Sequence, residues 1–425
     1  MSNLVHRELE LARQMMVNEA KAISRQAIKP LSLYVSYDGI LDPLGQSQIL
    51  PYIKGLAFEG YSFTILSFEK PERTARQLKL VKQELNSLGI NWIHLPFEYG
   101  RFEYFKRILK GSWLLRSLAR THKPNVIHAR TILPASMVVL AGLNIPLIYD
   151  IRAFAGEWID GGRLKRGGLQ ARLFQWLEEH LIRTSAGLVV LDQSGADYIK
   201  QAYPLLAVPI KVIPTCTNLE AFPSQILNSP SEPSGPYRFV FLGGVRFPYR
   251  PDLALLLIQQ LLAQGIDCSI DFINERDHEL IQAACGNLGF PLDRCRIFSL
   301  PQNEVPAALV RYHSGFVFNT SGRWRSMSSP TKLGEYLAAG LHIMGLFGIH
   351  AIDRLAAEDP AVVDVFRQSD LIAGLAPSRI AELLVHLQAS TRPKRARYLA
   401  RQHYDIAIAH RNYSELYRDV LAISS

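Results

Sequence analysis

The chain lacks paired cysteines, a long apolar run and any metal-binding signature, and each absence removes a class of protein. Its four cysteines, Cys216, Cys268, Cys285 and Cys295, are scattered without a C-x-x-C spacing. That argues against a disulfide framework or a thiolate metal site and suits a reducing, cytoplasmic setting. Residues 133–149 come nearest to an uninterrupted apolar stretch, but Pro134, Ser136, Asn144 and Pro146 break them. They read as helix, turn and strand rather than as a membrane span. The first thirty residues carry acidic side chains and no apolar core, unlike a secretory leader. Neither H-E-x-x-H nor Asp-x-Asp occurs, so no bound metal is expected. No nucleic-acid-binding motif is present either.

What remains is an ordinary globular composition with a charge bias. Of 425 residues, 48% are hydrophobic and 20% charged, which excludes extensive disorder. The length points to two or three domains. The net charge is +9, and residues up to 222 hold 27 Lys and Arg against 19 Asp and Glu. A basic first half suits an anionic partner, such as a phosphorylated ligand or an anionic membrane surface.

Short β-branched runs alternate with amphipathic stretches along the whole chain. Residues 31–36, 63–68, 126–128, 146–150 and 187–191 read as buried strands, separated by helical patterns such as 48–59 and 173–184. After a Pro- and Ser-rich break the pattern restarts with strands at 238–242, 269–273, 296–299, 315–319 and 342–345 and helices at 251–264 and 332–339. This alternation predicts two α/β domains with doubly wound parallel sheets facing a cleft. The expected division is a helical extension (1–29), a first Rossmann-like domain (30–222), a linker (223–237), a second Rossmann-like domain (238–395) and C-terminal helices (396–425). The last helix is expected to cross back to the first domain.

Four constellations fall where such sheets bind ligands, at strand ends and helix N-termini. Ser328-Ser329-Pro330-Thr331-Lys332 opens a helix, and Glu335 follows one turn later. Thr331 and Lys332 suit a phosphate, and the Glu335 carboxylate suits two ribose hydroxyls. The alternative is a capped helix with a solvated Lys and Glu. The run Gly243-Gly244-Val245-Arg246 to Arg250 follows the first strand of the second domain. Gly244 permits a tight turn beside a ligand, and Arg246 and Arg250 have the forks to pair with two phosphates. Gly45 and Gln46 stand at a helix start after the first strand, where a ligand loop is expected. Asp150 and Arg152 end an apolar strand. Arg152 cannot act as a base, which leaves it either stabilising a leaving phosphate or forming a structural pair with Asp150.

The run 328–345 resembles the second half of the nucleotide-sugar motif of family 4 glycosyltransferases, in the Ser-Pro-Thr-Lys version of a bacterial branch. The stretches 36–48, 128–130, 149–157, 190–194, 212–222 and 241–250 resemble other segments of that family in the same order. The resemblance implies the GT-B architecture and retaining transfer of a hexose from a UDP- or GDP-sugar to a glycan or lipid-linked acceptor, without a cofactor or metal. It assigns donor binding to Gly45, Gln46, Gly244, Arg246, Arg250, Thr331, Lys332 and Glu335, and chemistry to Asp150, Arg152, Arg246 and Arg250. Two departures stand out. Met327 occupies the place of the family's first Glu, and Arg152 that of its His. They leave open a nucleotide-sugar epimerase or a catalytically silent protein on the same fold.

Residues 101–123 interleave Phe105, Leu109 and Trp113 with Lys106, Lys110, Arg116 and Arg120. Such a helix suits either a domain core or the inner face of an anionic membrane, with polysaccharide assembly as the setting.

Overall fold

A computed structural model describes residues 29–100, 103–223 and 235–423. The expected helical extension lies almost wholly outside these residues, as does most of the linker.

The buried apolar runs form two all-parallel sheets. The first contains β1 (Leu31–Ser36), β2 (Ser62–Glu69), β3 (Asn91–Pro96), β4 (Val126–Arg130), β5 (Leu147–Asp150), β6 (Gly187–Val190) and β7 (Ile210–Val212), in the order β3-β2-β1-β4-β5-β6-β7. The second contains β8 (Tyr237–Leu242), β9 (Cys268–Ile273), β10 (Cys295–Phe298), β11 (Ser314–Val317), β12 (His342–Leu346) and β13 (Val363–Phe366), in the order β10-β9-β8-β11-β12-β13. Parallel strands need covered faces, and both sheets have them. In the first domain, one face packs the helices carrying Leu115, Met137 and Leu181. The other packs those carrying Ile53, Leu85 and Tyr417. In the second domain, Leu333, Leu337 and Ile352 cover one face, and Leu257, Ile258 and Leu383 the other. The strand order reverses between β1 and β4 and again between β8 and β11, which sets a crevice at the carboxyl end of each sheet.

The chain crosses between domains twice. Thr217 pairs with Asp405 as a parallel bridge, its N–H bonding the Tyr404 carbonyl at 2.7 Å and its carbonyl accepting from Ile406 at 3.0 Å. Helix Arg392–His403 then belongs to the second domain through Ala396, Leu399 and Ala400. Helix Ile406–Ile423 returns to the first through Ala409, Tyr413 and Leu416, as expected.

Three strands escape the sequence pattern. β3 and β7 are edge strands and only partly buried, so β3 has no apolar alternation and the three-residue β7 is too short to show one. β13 spans four residues and includes Asp364.

Candidate functional site

The two carboxyl edges face each other across a seam with direct contacts. Thr215 Oγ1 donates to the Ser329 carbonyl at 2.8 Å. Trp324 lies flat against Gly156, where a Cβ would meet its Nε1 at 2.2 Å. Arg325 approaches Glu157 at 3.6 Å, and Arg73 reaches Glu275 at 3.5 Å. A cavity of about 430 Å³ opens between the domains, lined among others by Gln46, Arg73, Leu300, Pro301 and Gln302.

On the second-domain wall the structure brings two of the predicted runs together. Helix Thr331–Ala338 begins at the seam with no side chain capping it. Lys332, in its first turn, is buried and runs inward to lie over the rings of Phe241 and Tyr249, at 4.3 and 4.5 Å. Phe241 ends β8, and Tyr249 closes the loop that follows. Among the described residues the Lys332 ammonium has no hydrogen-bond partner, and neither do the buried Ser328 Oγ, Asn319 Oδ1 and Thr320 Oγ1 in the loop leading to the helix. Buried polar groups without partners are costly, and the ammonium and hydroxyls among them, at a helix N-terminus, have the donors that suit an anion. Burial pulls the Lys332 pKa down to about 7, against the opposing charge of Glu335. Glu335 is buried one turn on, and burial pushes it up to about 7 against a hydrogen bond from Gln302 and the charge of Lys332. Gln302 Nε2 stands 3.2 Å from Glu335 Oε1, linking this carboxylate to the interdomain cavity that Gln302 lines.

The loop after β8 is held in a shape only glycine allows. Gly243 has φ +85°, and a Cβ on Gly244 would meet the Tyr249 ring at 2.9 Å. Asn274 fixes the loop by donating to the Gly243 carbonyl at 2.8 Å. Arg246 projects from it, its side chain 71% exposed and bonded only to Asp277 at 2.8 Å, free to swing toward an anion. Arg250 departs from the expected role. Its guanidinium is taken up by Asp252 at 2.8 Å and by Gln368 Oε1 at 2.6 Å. The cation aimed under this loop is Lys332, arriving from the facing element.

On the first-domain wall, Gly45 is accounted for by packing, since a Cβ there would stand 2.2 Å from the Gly39 carbonyl oxygen. Gln46 braces the same loop by donating to the Ile40 carbonyl at 2.9 Å, and it also lines the interdomain cavity.

Asp150 and Arg152 form the structural pair rather than an open catalytic one. Asp150 is fully buried. It is met by Arg152 Nε at 2.7 Å, by the Tyr413 hydroxyl at 3.0 Å and by His128 Nε2 at 3.4 Å. Arg152 also donates to the Tyr413 hydroxyl and to the Ile213 carbonyl. Tyr413 belongs to the returning C-terminal helix, so the pair pins that helix to the sheet. Burial would raise the Asp150 carboxyl, but Arg152 and His128 outweigh it and hold it well below the usual range.

Met327, like Asp150 and Arg152, is taken up by packing. It is buried in the first-domain cluster with Phe154 and Ile151, an apolar tie across the seam.

Two acids that the sequence reading passed over stand at the cleft. Glu157 is buried and pushed up to about 7 by that burial, against the charge of Arg325. Asp38 follows β1 at the switch point, raised by burial and opposed by Arg130 at the end of β4. No motif announces either. For Asp38 the signal was an acid just past an apolar strand; Glu157, inside the short helix Ala155–Asp160, gave none.

Residues 46–216 match a family model described as glycosyl transferase 4-like domain. No curated protein matched the chain by sequence. Among solved structures, sucrose-phosphate synthase from Thermosynechococcus elongatus superposes with a TM-score of 0.67 at 14% identity, over 93% of this chain and 100% of that one. A glycosyltransferase from Rickettsia africae gives 0.63 at 14% identity, over 93% and 99%. Anabaena HepE in complex with UDP-glucose gives 0.60 at 14% identity, over 91% and 99%. The chain therefore has the GT-B fold, two Rossmann-like domains facing a cleft, and its residues 46–216 are similar to the glycosyl transferase 4-like domain.

Proposed function

We propose that the protein is a glycosyltransferase that moves a hexose from a nucleoside-diphosphate sugar to an acceptor hydroxyl, with retention. The observation that carries this reading is the buried Lys332 ammonium without a partner, at an uncapped helix N-terminus and one turn from a buried carboxylate. The family match of residues 46–216 and the likeness to a fold solved with UDP-glucose support it.

The donor diphosphate sits over the helix N-terminus beside Thr331, Lys332 and Gly244, with Arg246 closing from solvent. Glu335 takes the ribose hydroxyls, and the base, of UDP or GDP type, enters the cavity beside Pro301 and Gln302. As the bond to the sugar breaks, negative charge grows on the departing phosphate. Lys332 and the helix N–H groups meet it there without reorganising. The acceptor hydroxyl, on a glycan or lipid-linked sugar held by the first domain, attacks the same face and passes its proton to the leaving phosphate. Asp38 and Glu157 are the acids placed to orient it. The setting is polysaccharide assembly at the cytoplasmic face of a membrane.

The test is incubation with a panel of UDP- and GDP-sugars, with and without acceptor pools, followed by NMR of the anomeric proton. Transfer with an α-configured product from an α-configured donor is expected. Turnover of donor to an epimer with no acceptor would replace this reading with isomerase chemistry. The locked Asp150–Arg152 pair and the inward Met327 favour one second reading, a donor-binding protein without turnover. Binding with neither transfer nor hydrolysis would support it.

A further inference from the structure

The first domain carries a surface that the transfer site does not explain. Helices Glu103–His122, Ile132–Ala141 and Leu169–Thr184 lie side by side on one face of its sheet, sharing the cluster around Leu115, Met137 and Leu181. Arg116 Nε ties the first to the second through the Ala141 carbonyl at 2.8 Å. The inward sides of the outer two helices are filled, yet their outward sides are not polar. Phe105, Leu109 and Trp113 recur at i, i+4 and i+8 on one, and Leu169, Leu173 and Trp176 at i, i+4 and i+7 on the other, all exposed. Trp113 is 74% exposed and Leu169 84%. Two exposed apolar stripes on the same face of one domain are the kind of surface that marks an interaction site.

Its charges say what kind. Lys106 and Lys110 interleave with the first stripe, and Lys165, Arg166 and Arg172 accompany the second. The half-buried Glu103 pairs with Lys106, the exposed Glu179 with Arg183 and Asp160 with Arg166, while Lys110, Lys165 and Arg172 make no ion pair among the described residues. The surface thus presents aromatic and aliphatic anchors beside cations, the composition of a helix surface that lies in the headgroup layer of an anionic bilayer. Placement agrees. In a parallel sheet the connecting helices start at the carboxyl ends of the strands, which here face the cleft, and both stripes begin in the first turn of their helices and end by about their midpoints. The anchors therefore sit on the cleft-side rim of the first domain.

We infer that this face docks the enzyme onto a bilayer rich in anionic phospholipid, so that an acceptor carried on a lipid enters the cleft from the membrane plane. The docking stands on the surface itself. Only the identity of the acceptor rests on the transferase reading.

The test is flotation of the full chain with phosphatidylcholine vesicles and with vesicles containing 30% phosphatidylglycerol, the composition being a choice of about one anionic lipid in three. Wild type is expected to float with the anionic vesicles at low salt, to leave them as salt rises, and to ignore the neutral ones. Trp113→Ala with Trp176→Ala should lower the bound fraction at least about tenfold, as should Lys110→Glu with Arg172→Glu. All four side chains are exposed, and a thermal melt confirms that the variants fold. No flotation of wild type at low salt would overturn the proposal, as would unchanged flotation of the tryptophan variant. A concentration-dependent rise in mass that the tryptophan variant abolishes, without vesicle binding, would overturn it in favour of a contact between copies. UDP and GDP titration of the same samples without vesicles keeps a failure of docking distinct from a failure of the donor site.

Discussion

Each domain buries an acid and a base at the carboxyl edge of its sheet, and the two pairs are built differently. In the first domain, Asp150 and Arg152 pair with each other, and Asp150 Oδ2 also meets Tyr413 and His128, although Asp150 Oδ1 and Arg152 Nε make no aligned hydrogen bond. In the second, among the described residues, Lys332 lies against two aromatic rings without a hydrogen-bond partner, and the Glu335 carboxylate accepts from Gln302. A buried charge whose partners come from the protein holds the fold together. A buried charge left without them waits for a ligand. The contrast supports reading Asp150–Arg152 as a tie for the C-terminal helix and Lys332–Glu335 as the binding pair proposed above.

The strongest way to break this comparison is to remove one member of the closed pair. Asp150→Asn leaves Arg152 buried against a neutral group and should cost about 3–5 kcal/mol in urea unfolding. Nucleotide affinity of the folded fraction should change little. A loss of affinity without a loss of stability would move Asp150 into the binding site. The complementary change, Lys332→Met, should leave stability unchanged or slightly raised. It should weaken nucleoside-diphosphate binding by about 30- to 100-fold, the size of one lost charged hydrogen bond.

A smaller effect comes from pH. Lys332 has a folded pKa of about 7, lowered by burial. A bound diphosphate favours its charged form, so binding above pH 7 must take up a proton. Affinity should therefore fall several-fold between pH 6 and pH 8, with proton uptake visible in calorimetry across buffers of different ionisation heat. The same pair shapes stability. Between about 4.5 and 7 the folded state holds a proton on Glu335 that the unfolded state releases, so its contribution declines as pH rises. Between about 7 and 10.5 the unfolded state holds the Lys332 proton that the folded state has lost, so that contribution grows. The ligand-free pair thus gives a trough near pH 7, which Lys332→Met with Glu335→Gln should flatten.

The smallest change is expected at Arg250. With its guanidinium held by Asp252 and Gln368, Arg250→Ala should alter nucleotide affinity by less than about threefold, since paired surface charges contribute little.

Much of this frame was legible in the sequence, for physical reasons that also explain what was not. Ten strands read directly because a parallel strand covered on both faces must be a short apolar run, and their order along the chain implied the paired sheets. β3, β7 and β13 did not, because an edge strand or a very short one need not be apolar on both sides. The helix opening at Thr331 was visible through its Ser and Pro signature. The partner of Lys332 was not. Phe241 and Tyr249 are more than eighty residues away, and only the closing of β8 beside the helix brings them to it. For the same reason Arg250 looked available. Its sequence neighbour Asp252 was in plain view, but Gln368, which completes its capture, comes from beyond β13. Glu157 carries no motif, and its burial against Arg325 arises only when the two domains meet.

The most direct measurement is calorimetric titration of UDP and GDP into wild type, Lys332→Met and Arg250→Ala at pH 6.5. The account predicts that one of the two nucleotides binds wild type and Arg250→Ala alike, and binds Lys332→Met at least about 30-fold more weakly. Equal affinity in wild type and Lys332→Met, with the loss falling on Arg250→Ala instead, would contradict it.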